Sequence, residues 1–275
     1  MSDGAPFTHH DIDAILRFYR DAGVDEPLAA EPVDRFGLIP AQNMQATRPA
    51  PSAPKTPPTP ITAAPVAKAV VPDETVFAEA QQRAASATNL DGLRAALEAF
   101  DGCNLKHTAR NLAFEGGMRT ADIMLVGGAA SRDDDETGVP FSGLDGILLR
   151  NMFAAIGIDA ATQTYQAMCV PWAPPGGGPP TPLHLKLCAP FIARQIALAR
   201  PKCLVLLGNV AARHMLSETK RTILQLRGQW LAQDFGSGET TILVMHDPDF
   251  LRRQPSAKRQ TWFDLLALQK RLTSA

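Results

Sequence analysis

An apolar run that breaks abruptly into glycine constrains this chain more than any other feature. Ile123, Met124, Leu125 and Val126 follow one another with no polar interruption, the pattern of a strand buried on both faces of a parallel sheet. Gly127 and Gly128 end the run, and small residues at the carboxyl end of such a strand let the backbone approach a ligand closely. The acidic stretch Asp133-Asp134-Asp135-Glu136 comes next. Thr137 to Gly143 is then rich in turn formers and presents a single aromatic ring, Phe141. Ile147, Leu148, Met152 and Ile156 fall at helical spacing, which predicts a helix from about Leu144.

Three further strand and helix pairs follow the same grammar. Strands are predicted over Tyr165–Val170, Cys203–Leu207 and Thr240–Met245, with helices over Leu183–Ala199, from Asn209 through Leu216, and over Gln260–Leu272. Alternation of this kind implies an α/β domain of three layers, with a central four-stranded parallel sheet whose working edge lies at the strand ends. Residues 73–275 form this domain. Val76 to Phe100 adds two helical segments that split near Asn89-Leu90-Asp91-Gly92.

Two segments precede it. In 1–37, Thr8 opens a helix with Asp11 as its capping-box partner and Ile12, Ile15, Leu16 and Tyr19 along one face, a stripe that needs a docking surface or a protein partner. In 38–72, nine of the 23 prolines occur without one aromatic residue, the composition of an extended, disordered linker.

Composition narrows the function classes. No apolar run approaches the length of a membrane span and no leader pattern opens the chain, so a cytoplasmic, monomeric protein without membrane contact is expected. Four cysteines, at 103, 169, 188 and 203, suit a reducing compartment. The net charge of −1 hides an asymmetry: residues 184–275 hold 14 Lys and Arg against 6 Asp and Glu. That half is the candidate phosphate-facing surface, although solvated cationic helix faces give the same count. Gly176-Gly177-Gly178 lacks the lysine and the helix start of a phosphate-binding loop.

The order of parts from Val126 to Gly143 resembles the uracil-DNA glycosylase superfamily, most closely its family 4, the iron-sulfur branch. Val126-Gly127-Gly128-Ala129-Ala130-Ser131, the pair Asp134-Asp135, and Thr137-Gly138-Val139-Pro140-Phe141-Ser142-Gly143 follow the family's frame, and the likeness runs from Cys103 to Leu272. It implies the superfamily's three-layer fold, with DNA as partner, and a base pocket built from Gly127, Gly128, Phe141, Met168 and Asp247. Phe141 stands where the family stacks a phenylalanine on the extruded base; a core aromatic under a turn is the other reading of that ring. Met168 stands where the family reads the uracil edge with an asparagine, and Gly128 where it holds a glutamate. The final motif falls on Met245 to Pro255. Asp247 or, with one insertion, His246 takes the histidine position, Phe250 and Leu251 are wedge candidates, and Arg252, Arg253 and Lys258 are phosphate contacts.

Asp134, Asp135 and His246 are the catalytic candidates, the two aspartates as water-orienting groups; capping the next helix, or lying in a solvated acidic loop, are the alternatives for those two. Of the four cluster cysteines, the resemblance leaves Cys103 and Cys188, with Phe100 and Trp172 at the other two positions, so no iron-sulfur cofactor is expected. The expectation is a divergent, DNA-binding member with weak, altered or lost excision. The alternatives are an active glycosylase for uracil or another deaminated base, and an interaction module of a repair complex.

Overall fold

The computed structural model describes residues 74–217 and 220–273. The amphipathic segment from Thr8 and the proline-rich stretch 38–72 lie outside the described residues. Two helices open the domain, α1 (Glu74–Ser86) and α2 (Leu90–Glu98). They part where Asn89 caps α2, its side-chain oxygen accepting from Gly92 N at 2.7 Å.

The sheet has six strands in the order β1-β3-β2-β4-β6-β5. Its centre is the four-stranded parallel array expected from the apolar runs: β3 (Thr164–Val170), β2 (Ile123–Ala129), β4 (Cys203–Leu207) and β6 (Glu239–Met245). Four strands was too few, because an antiparallel strand closes each edge. β1 (Gly116–Gly117) pairs with β3, and β5 (Trp230–Asp234) forms a hairpin with β6. Neither edge strand is apolar enough to register as a buried run; β1 is two glycines, and β5 is half exposed.

Alternation along the strands divides the core. Leu125, Val205, Leu243 and Met245 turn to one face with Phe141, Met168, Phe153 and Leu265; Met124, Val126, Leu204, Leu206 and Val244 turn to the other, against Ile192, Ile196 and Ala211. A third cluster joins α1 and α2 to α5 (Pro182–Ala199) around Phe100, Cys103, Trp172, Cys188 and Phe191. Three helices follow the strand ends and matter for the site: α3 (Arg132–Thr137), α4 (Gly143–Ala154) and α6 (Gly208–Met215). The short α7 (Ile223–Leu226) leads into β5, α8 (Pro248–Arg253) leaves β6, and a single turn, Pro255–Ala257, joins it to the final helix α9 (Lys258–Thr273). No helix among the described residues is long and apolar enough to cross a membrane.

Candidate functional site

A cavity of about 770 Å³ opens at the carboxyl ends of β2, β3, β4 and β6, within the range of small-molecule sites. Gly127, Gly128, Phe141, Met168, Asp247, Phe250 and Arg253 line it, so every base-pocket candidate falls on one wall or another.

Its floor is tightly built. A Cβ on Gly127 would sit 2.5 Å from Met168 Sδ and 3.0 Å from the Phe141 ring, so the thioether and the aromatic close on bare backbone. A Cβ on Gly128 would meet Val210 Cβ at 2.9 Å, which leaves no room for a longer side chain unless Val210 moves. Phe141 is 7% exposed and has a φ of 56°, a left-handed conformation that costs a non-glycine residue about 1–3 kcal/mol. Gly143, with a φ of 62°, completes the turn that aims it.

The acidic pair separates into two roles. Asp134 is 1% exposed at the cavity wall, where its carboxylate accepts from Ser131 N and Ser142 N, each at 2.7 Å. Ser131 Oγ answers by accepting from Asp134 N at 3.2 Å, a reciprocal cap at the start of α3. Burial raises the Asp134 carboxyl above its usual range, against those hydrogen bonds. Asp135 does not line the cavity: its Oδ1 accepts from Arg110 N at 2.8 Å and Asn111 N at 3.2 Å. Successive helical residues point about 100° apart, so only one of the two can face the site.

The end of β6 sorts Asp247 from His246 by the same logic. Met245 turns toward the core side that holds Phe141, and two residues on Asp247 lines the cavity. There it caps α8, Oδ1 accepting from Phe250 N at 2.7 Å, and burial raises its carboxyl above the ordinary range. His246 is 2% exposed and off the cavity lining, its ring stacked on Phe250 with centroids 4.8 Å apart. Burial, then the nearby Arg227 charge, lowers its pKa. Its Nε2 has no hydrogen-bond partner among the described residues.

Of the DNA-contact candidates, Phe250 and Arg253 reach the cavity rim, whereas Leu251 is 0% exposed and could enter DNA only by unfolding α8. Arg253 pairs with Asp249 at 2.5 Å and Arg252 with Asp145 at 2.7 Å. Lys258 is exposed at the start of α9. Sequence reading missed Asn209, Val210, Asp145 and the Gly177–Pro180 loop as cavity walls. A signal existed for the first two: Leu207-Gly208-Asn209 closes a buried strand just as Val126-Gly127-Gly128 does.

The model of the uracil DNA glycosylase superfamily matches residues 114–268, more than half of the chain. The chain belongs to the uracil DNA glycosylase superfamily. Curated relatives include two proteins named type-4 uracil-DNA glycosylase. The one from Archaeoglobus fulgidus is 28% identical over 161 residues, 58% of this chain and 80% of the relative. The one from Thermotoga maritima is 28% identical over 158 residues, 58% of this chain and 81% of the relative. A third, from Pyrobaculum aerophilum, is 23% identical over 180 residues, 64% and 91% of the two chains.

Within this superfamily member, the side chains at the cluster positions do not fit an iron-sulfur group. Cys103 and Cys188 face each other at 0% and 1% exposure, and the hydrogen bond with Cys103, followed by burial, raises the Cys188 thiol well above its ordinary range. Phe100 and Trp172, at the remaining two positions, are buried in the same apolar cluster, with Phe100 packed on Phe191 at a centroid distance of 5.4 Å. Among the described residues no three His, Cys, Asp or Glu side chains are placed to hold a metal ion.

Proposed function

We propose that this glycosylase-superfamily protein binds DNA, admits an extruded nucleotide to the cavity, and excises bases weakly or with a selectivity different from that of its type-4 relatives. The observation that carries this reading is the floor formed by Gly127, Gly128, Met168 and Phe141. An extruded base needs an aromatic face and a polar edge reader. Phe141 supplies the face, but Met168 offers no amide, and Val210 closes the space above Gly128 against a carboxylate. A site without its polar reader gives up most of its discrimination between bases.

Hydrolysis also needs a group that positions water and support for the departing base. Asp134 is the carboxylate at the wall, yet two backbone N–H groups already occupy it. Asp247 stands where the base would leave; because burial keeps its carboxyl protonated to higher pH than an ordinary aspartate, it acts as hydrogen-bond donor over an acidic range. We further propose that the protein carries no iron-sulfur cluster, since two large apolar side chains stand at half of the ligand positions.

An excision panel of uracil, hypoxanthine and xanthine, in single and double strands, tests the function. Slow release of one or more bases, faster toward lower pH and abolished by Asp247→Ala, is expected. Rapid, uracil-selective turnover that survives Asp247→Ala would overturn the reading.

A further inference from the structure

Helix α9 packs through Thr261, Asp264, Leu265 and Leu268 and leaves its other face uncovered. On that face Trp262 is 40% exposed, Phe263 59% and Leu266 38%. At helical spacing Lys258, Trp262 and Leu266 fall in one row, with Arg259 and Phe263 in the next. The single acid of the helix, Asp264, points the other way and is ion-paired with Arg227 at 2.7 Å, so on the exposed face the helix itself joins ring and cation with no carboxylate between them.

We infer that this face is a stacking platform for single-stranded DNA flanking the nucleotide held in the cavity. The inference rests on the DNA-directed reading above and adds the strand state of the substrate. Three considerations select the occupant. Lys258 and Arg259 form no ion pair among the described residues and so suit phosphate, and the charge of 184–275 is lopsided in the same sense. Exposed ring faces suit unpaired bases, whereas duplex bases stack their faces on one another and offer a helix only their edges. The platform also continues the cavity rim, since Arg253 is joined to Lys258 only by Gln254 and the turn Pro255–Ala257. Trp262 and Phe263 would stack the flanking bases, and Lys258 and Arg259 would meet their phosphates.

The test is fluorescence anisotropy of the full chain against a labelled thymidine oligonucleotide and a duplex of the same length. Trp262→Ala is expected to weaken single-strand binding about tenfold while duplex binding holds. Trp262→Phe, which keeps a ring, should retain most of it, and Leu224→Ala, at an apolar residue 66% exposed on α7, should change neither. Lys258→Ala with Arg259→Ala should flatten the salt dependence on the single strand by about 1.4 in log–log slope. Single-strand binding untouched by Trp262→Ala, or a parallel loss on both substrates, would overturn the platform alone. So would a wild-type dimer that Trp262→Ala with Phe263→Ala dissolves in sedimentation, because the face would then belong to a second copy. Failure of the wild type to bind either DNA would remove the DNA-directed reading and the platform together.

Discussion

At the scale of single residues, the cavity floor is set by contacts too close to survive ordinary substitution. Gly128→Glu drives a side chain into Val210, and overpacking of this kind costs about 1–3 kcal/mol. We expect the single variant to melt several degrees low, and Gly128→Glu with Val210→Ala to recover most of that loss and to excise uracil faster than wild type. Met168→Asn places a donor and an acceptor beside Phe141 and should raise the preference for uracil over thymine, read as a ratio of kcat/KM. Asp135→Ala should leave the cavity unchanged but hand the exposed backbone N–H groups of Arg110 and Asn111 to water, a loss of about 1 kcal/mol in denaturant unfolding.

At the scale of elements, the hinge from β6 into α8 decides how Phe250 is presented. Asp247 caps α8 while His246 backs the Phe250 ring from below, so His246→Phe should preserve the stack and His246→Ala should loosen it. A drop in DNA affinity for the alanine variant alone, without a shift in the pH profile of excision, is the expected outcome. Asp264 gives the domain a pH dependence of its own. Burial, outweighing the hydrogen bond and charge of Arg227, pushes its carboxyl up to about 6, above the unfolded value of about 3.9. The folded state therefore binds the extra proton, and its contribution to stability is full below about pH 4 and lost as pH rises through about 6. Thermal melts across that interval should slope downward for wild type and lie flatter for Asp264→Asn.

The elements themselves were largely legible, because period and punctuation survive in one dimension. The four parallel strands appear as apolar runs and the helix boundaries as caps, such as Asn89 before α2. The edge strands were not legible: two glycines and a half-exposed hairpin arm carry no buried run. Within the site, residues were legible but orientations were not. Asp134 and Asp135 are adjacent letters, as are His246 and Asp247, and only the helix rotation and the strand parity decide which of each pair meets the cavity. Leu251 follows the same rule, since Phe250 takes the outward direction and leaves Leu251 to the core.

At the scale of the whole molecule, three packed cores hold the domain, and the third occupies the region that the resemblance assigns to a cluster. Purified protein should contain less than one iron per chain, lack absorbance near 400 nm, and melt at the same temperature with or without chelator. Four irons per chain would refute the repacking. The exposed face of α9 carries Lys258 and Arg259, and residues 184–275 as a whole are cationic, so binding should weaken steeply with salt, as counterion release requires. With valine at 210 an acid at 128 carries the overpacking cost of the contact between them, whereas a smaller residue at 210 relieves it, so the order in which the two changes are made decides how well the acid is tolerated.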